Sequence, residues 1–171
     1  MATVTPKNIE VEENNEDAQQ PRAPKWERRE DIKPMVSELI EKFQEQLSHI
    51  KPSRIGYMGF SKKKSKNQAK IYGVKPMFGE FMQLDYILTV HVENWAILTV
   101  SEKYLLVFHE LLHVPAGGFD ENSKEFRKCI DHDVKDFVFL VEKFGVHWEE
   151  SAKILDDMKS PEVKTEVKKN D

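Results

Sequence analysis

The residues of this chain with the clearest chemical potential form the segment His109-Glu110-Leu111-Leu112-His113, which follows the pattern H-E-x-x-H. Residues four positions apart on a helix project from the same face, so the two imidazoles can reach one zinc ion (Zn2+). Glu110 then lies beside the open position of the ion. There its carboxylate can take a proton from an activated water molecule and later pass it to a leaving amine. This pattern predicts peptide hydrolysis without a protein nucleophile.

A catalytic zinc site needs a third protein ligand. The candidates downstream of the motif are His132, Asp133, Asp136, Glu142 and His147. His132 is the preferred ligand, because imidazole suits zinc and residues 114–131 can fold the chain back onto the first two ligands. Asp133 is the alternative. Asp133 and Asp136 also suit a supporting role, in which a carboxylate accepts the second N–H of a ligand imidazole.

The two motif histidines share a face only if the motif lies on a helix. Residues Thr99-Val100-Ser101-Glu102 form a capping box, which predicts that this helix starts at Thr99. Apolar residues on nearly every side of residues 104–108 predict that the helix is central to the fold. Pro115 and the Gly117-Gly118 pair end it.

The pattern of apolar and polar residues along the chain predicts an α+β fold. Its elements are an N-terminal helix, a small three-stranded sheet, the central H-E-x-x-H helix and a C-terminal helix. The N-terminal helix is amphipathic and covers residues 32–50. Two strands form a hairpin around a basic loop, and a third strand lies next to the central helix. The strands are predicted at 54–60, 71–74 and 84–92. The last helix begins near Asp131 and ends at Gly145.

Composition divides the chain into one domain and two tails. Residues 1–30 are predicted to be a flexible acidic tail, residues 31–158 the folded domain, and residues 159–171 a flexible charged tail. The single cysteine, Cys129, excludes a disulfide framework and a cysteine-rich zinc ribbon.

Charge and hydropathy limit the compartment and the partners. The N-terminus lacks the apolar core of a secretory signal, and no apolar run is long enough to span a membrane, so we expect a cytoplasmic protein without membrane contact. The formal net charge of -4 excludes a general attraction to nucleic acid. A local exception is a basic stretch that could contact phosphates, formed by Lys62, Lys63, Lys64 and Lys66.

Several motifs in order resemble the phage metallopeptidase family: HELLH, a short glycine-containing loop, the segment from His132 to Phe137, and the segment from Phe144 to Trp148. The resemblance covers residues 31–148. It implies a zincin fold, distantly similar to SprT-like proteins, and a phage or prophage origin. By position, it also implies three zinc ligands and a catalytic base, namely His109, His113, His132 and Glu110.

Three hypotheses follow from the sequence. The first is a zinc-dependent peptidase that cuts a protein or peptide in the host cytoplasm, with Glu110 as general base. The second is a catalytically silent module of the same fold that binds nucleic acid through its lysine loop, or a protein partner. The third is a structural zinc protein in which a fourth protein ligand closes the site.

Overall fold

The computed structural model of this chain describes residues 25–61, 68–132 and 136–159. Within these ranges the strands are β1 (Lys25–Arg28), β2 (Ile55–Ser61), β3 (Ala69–Gly73) and β4 (Tyr86–His91). The helices are α1 (Ile32–Lys42), α2 (Gln44–Leu47), α3 (Pro76–Met82), α4 (Val92–Ile97), α5 (Val100–Leu112), α6 (Val138–Phe144) and α7 (Lys153–Lys159). This arrangement confirms the predicted α+β class. None of the helices in these ranges has the length and apolar character needed to cross a membrane.

The four strands form one mixed sheet in the order β1-β2-β4-β3. Strand β4 pairs in parallel with β2 and antiparallel with β3, so the predicted sheet of three strands is one strand too small. The predicted hairpin is also wrong, because β2 and β3 each pair with β4 and not with each other. Pairing follows the apolar faces that can be buried together, and a short separation along the chain does not decide it.

Strand β1 lies inside the stretch predicted to be an acidic tail. It pairs antiparallel with β2, and the ring of Trp26 lies 5.7 Å from that of Phe60 between centroids. Backbone pairing with a neighbouring strand therefore orders four residues that are all exposed. This corrects the boundary of the predicted tail at residues 1–30, whereas residues 1–24 and 160–171 lie outside the described ranges.

The core lies where the N-terminal helices meet α5. Helix α1 buries one face, as its amphipathic pattern predicts, through Ile32, Val36 and Leu39. The helix predicted for residues 32–50 is interrupted at Phe43, whose backbone leaves the helical region with φ -115° and ψ 54°. The ring of Phe43 stacks on Phe108 of α5, with centroids 4.5 Å apart. This aromatic contact joins the N-terminal helices to the helix that carries the motif.

Helix α5 begins at the predicted capping box. The side chain of Thr99 accepts a hydrogen bond from the backbone N–H of Glu102, and the Glu102 carboxylate accepts one from the Thr99 N–H at 2.6 Å. Phe108 is fully buried, which confirms that the helix is central. The last helical residue is Leu112, so His113 occupies the C-cap position.

The last predicted helix starts later than expected. Helix α6 begins at Val138, seven positions beyond Asp131, and His132 therefore lies in the preceding loop. One reason is that the carbonyl of Ile130, which would accept the first hydrogen bond of a helix starting near Asp131, lies 2.6 Å from Nδ1 of His113 and accepts from it instead. The predicted cap is confirmed: Gly145 ends the helix with φ 96°, a conformation that favours glycine.

Candidate metal centre

The two motif histidines lie side by side at the C-terminal end of α5. Their ring centroids are 5.1 Å apart, as expected for residues one helical turn apart. His109 lies in the last turn of the helix, whereas His113 caps it. The helix thus presents two imidazoles in one direction, with Glu110 between them in sequence.

His132 joins the pair from the loop that precedes α6. Its Nε2 atom lies 3.1 Å from Nε2 of His109, and its ring centroid lies 4.8 Å from that of His113. Each of the three histidines offers one ligand nitrogen, and these nitrogens all lie within 4.8 Å of one another. The structure therefore brings together the three residues that the sequence predicted as ligands.

Hydrogen bonding decides which nitrogens face the centre. Nδ1 of His113 lies 2.6 Å from the carbonyl oxygen of Ile130, so this nitrogen carries the proton and Nε2 keeps its lone pair. Nδ1 of His109 is buried and lies 3.2 Å from Oδ1 of Asp136, an ion-pair distance without the alignment of a good hydrogen bond. These contacts occupy Nδ1 of each ring and direct Nε2 of both rings towards the centre of the three-histidine cluster. Metal-binding histidines have this arrangement.

Burial favours the neutral form of the two motif histidines. Desolvation lowers the pKa of His109 to about 4, although the nearby Asp136 carboxylate opposes this shift. Burial also lowers the pKa of His113. Neutral imidazole is the form that binds a metal, so both residues can act as ligands at neutral pH without losing a proton.

Glu110 is buried and is held by the edge of the sheet. Its Oε2 atom accepts a hydrogen bond from the backbone N–H of Ile71 in β3 at 2.9 Å. Burial raises the pKa of Glu110 to about 7, while the hydrogen bond from Ile71 works in the opposite direction. The strand that contacts Glu110 is thus β3, whereas the sequence placed residues 84–92 next to the motif helix.

Two aromatic residues that the sequence did not single out as site residues pack on the histidines. The ring of Phe137 lies between 4.8 and 5.4 Å from all three imidazoles, measured between centroids. Trp148 stacks on His109, and its indole N–H donates to Oδ2 of Asp136. In the sequence, Phe137 fits the apolar face of a helix, and Trp148 fits an aromatic cluster after that helix. Only their position in the structure shows that both pack against the histidines.

Two further candidate ligands are described, and neither is part of this cluster. Glu142 and His147 are exposed and do not belong to the three-histidine group. Asp133 lies outside the described residues, as do the four lysines of the basic stretch, Lys62, Lys63, Lys64 and Lys66. For these five residues the sequence-based expectations stay predictions.

Comparison with known proteins assigns the chain to a family. Neither a curated protein nor a solved structure matches the chain, so the similarity to SprT-like proteins stays a prediction. A family model described as "Putative phage metallopeptidase" matches residues 24–160, which include all the strands and helices of the described ranges and the three clustered histidines. The chain belongs to this family of phage metallopeptidases.

Proposed function

We propose that this protein is a zinc-dependent peptidase that hydrolyses peptide bonds in a protein or peptide substrate. The observation that carries the proposal is the group of three histidine nitrogens within 4.8 Å of one another, with Glu110 between two of them on α5. Family membership supports a metal and a peptide substrate. The cytoplasmic location remains an expectation from the sequence.

The donor set fits zinc. Three neutral imidazoles are a common ligand set for catalytic zinc, which keeps a fourth position open. Among the described residues, no cysteine or carboxylate joins the group as a fourth protein ligand, which favours a catalytic site over a closed structural one. The contacts of Ile130 and Asp136 with the outer nitrogens add the second layer of support that such sites use.

When bound, zinc supplies Lewis-acid chemistry, which activates water and polarises a peptide carbonyl. The role of Glu110 in the proposal is to accept the proton of the attacking water and to deliver it to the amine that leaves. Its burial favours this role, because a carboxyl whose pKa lies near neutrality can both take up and release a proton. The N–H of Ile71 holds the carboxylate in one orientation.

The first test measures metal content and cleavage together. After equilibration with zinc and removal of excess metal, we expect about one zinc per chain, and loss of most of it in His109→Ala or His132→Ala. His147→Ala is the matched control, because this exposed histidine lies outside the cluster. Zinc retained in His132→Ala would argue against this ligand set.

The second test separates catalysis from binding. Glu110→Gln should keep zinc but lose at least a factor of about 100 in cleavage, since it removes the general base. Cleavage is read as new peptide N-termini, by mass spectrometry, in an unfolded bacterial protein extract treated with each variant. Equal sets of new N-termini from the unaltered chain and Glu110→Gln would refute the proposed role of this residue. We do not propose nucleic-acid binding, because no contact or charge among the described residues supports it.

A further inference from the structure

Residues 127–130, here called the ligand strap, lead directly to the third histidine of the cluster. Two hydrogen bonds join Ile130, the last residue of the strap, to His113. The N–H of Ile130 donates to the His113 carbonyl at 2.8 Å, and the Ile130 carbonyl accepts from Nδ1 of His113 at 2.6 Å. His132 follows two residues later, so the course of the strap determines where this imidazole lies.

The strap lies directly against the sheet. The hydroxyl of Tyr86 in β4 donates to the carbonyl of Lys128 at 2.8 Å. At Gly73 in β3, a Cβ atom would lie 1.7 Å from the carbonyl oxygen of Arg127, so the two backbones are in close contact. The strap is therefore held along its length by β3, β4 and the end of α5.

The strap begins at a strained residue. Arg127 has φ 56°, in the left-handed region that arginine adopts only at a cost of order 1 kcal/mol. Its side chain is 3% exposed, and the guanidinium donates three hydrogen bonds. Nε donates to Asp85 at 2.9 Å, Nη1 to the carbonyl of Pro76 at 3.2 Å, and Nη2 to Glu80 at 3.1 Å. The backbone N–H of Arg127 donates to the carbonyl of Gly118 at 2.9 Å, so the guanidinium adds three hydrogen bonds to a turn that is also held through the main chain.

We propose that Arg127 is a positioning residue for the metal centre, which fixes the turn from which the strap carries His132 to the two histidines of α5. This inference rests on the proposed zinc site. Arg127 acts through the backbone of the strap, by means of a guanidinium anchored to α3 and to the residue before β4. Its loss should therefore loosen one ligand and leave the other two on their helix.

Arg54 offers a matched control. Its guanidinium binds the same carboxylate, with Nε 2.8 Å from Oδ2 and Nη2 2.7 Å from Oδ1 of Asp85. Arg54 precedes β2 and is not part of the strap. Arg54→Met thus removes an ion pair to Asp85, as Arg127→Met does, but leaves the turn at Arg127 in place.

The experiment measures zinc affinity of the full chain by competition with a chromophoric chelator at neutral pH. Arg127→Met should weaken zinc binding about 10–100-fold, as loss of supporting contacts around a metal site does, and Arg54→Met should change it less than about threefold. Hydrogen exchange gives a second readout: the Ile130 amide should lose protection in metal-free Arg127→Met and keep it in Arg54→Met. Equal zinc affinity in the two variants would overturn the inference.

Arg127→Lys covers the case in which Arg127→Met fails to fold. Lysine keeps the charge, but one ammonium group cannot reach Asp85, Pro76 and Glu80 together, so we expect an intermediate loss of affinity. Unchanged zinc affinity in Arg127→Lys, with an unchanged Ile130 amide, would also count against the inference. If the unaltered chain itself binds no zinc, the proposed function fails, and the positioning role of Arg127 fails with it.

Discussion

The indole of Trp148 stacks on the imidazole of His109, with ring centroids 5.0 Å apart and ring planes 10° from parallel. The indole N–H also donates to Asp136, whose other carboxylate oxygen lies 3.2 Å from Nδ1 of His109. One tryptophan therefore contacts the face of a ligand ring and also orients the carboxylate at its edge. Because both contacts restrict rotation of the ring, Trp148 helps to keep Nε2 directed at the cluster.

We predict that Trp148→Phe weakens zinc binding several-fold, because the aromatic face remains but the hydrogen bond to Asp136 is lost. Asp136→Asn should weaken it about 10–100-fold, as expected for a contact in the second layer of a metal site. Chelator competition measures both. Trp95→Phe is the control, since Trp95 is a buried tryptophan on α4, outside the cluster, and should leave the affinity unchanged. Wild-type affinity in Asp136→Asn would contradict this account.

The second prediction concerns the space that Gly79 leaves for Arg127. A Cβ atom at Gly79 would lie 2.3 Å from the central carbon of the Arg127 guanidinium. Gly79→Ala should therefore destabilise the protein by roughly 1–3 kcal/mol, although alanine is the better helix former by about 1 kcal/mol. Urea unfolding of the metal-free chain measures this loss.

A double-mutant cycle identifies the cause of that loss. In an Arg127→Met background the obstructing guanidinium is absent, so Gly79→Ala should become neutral or stabilising. If the alanine is equally destabilising in both backgrounds, the clash with Arg127 is not its source.

The third prediction is a pH dependence that originates at Asp85, whose side chain is 2% exposed. Burial alone favours its neutral form, but hydrogen bonds from Arg54 and Arg127 outweigh burial and hold the pKa of Asp85 below its ordinary value. A carboxyl with a depressed pKa in the folded state contributes stability above its ordinary pKa of about 4. This contribution is lost as the pH falls through the lower value of the folded state.

We therefore expect Asp85→Asn to reduce the free energy of unfolding most at pH 6, on the order of 3 kcal/mol, and less at pH 3. Urea unfolding of metal-free protein at pH 6, 4 and 3 measures the difference between the two chains. Other carboxylates titrate in both chains, so their effects cancel. A difference that does not depend on pH would show that Asp85 acts through packing and not through its charge.

Local signals predicted the motif helix correctly. The capping box at Thr99, the apolar residues that follow, and the proline and glycines beyond His113 act within one or two helical turns of their effect. The spacing of His109 and His113 is likewise a local property of a helix. For this reason the sequence alone was enough to place two of the three clustered histidines and Glu110.

Long-range contacts account for the predictions that were wrong. Strand β1 owes its order to pairing with β2, and β4 takes its central place because its apolar residues are buried from both sides. The loop around His132 is shaped by bonds to His113, which no periodicity in the sequence records. Arg127 lies in a short polar stretch without pattern, so its burial beside Asp85 had no signal in the sequence.

The position of β4 between two strands that both precede it has a consequence for synthesis on the ribosome. When β2 and β3 have emerged, β2 can pair only with β1 and β3 has no partner, because the strand that joins them ends only at His91. Helix α5, which positions the two motif histidines, begins nine residues after His91. We therefore expect the nascent chain to complete its sheet and its motif helix almost together, with one edge of β2 and both edges of β3 exposed until then to chaperones or to neighbouring chains.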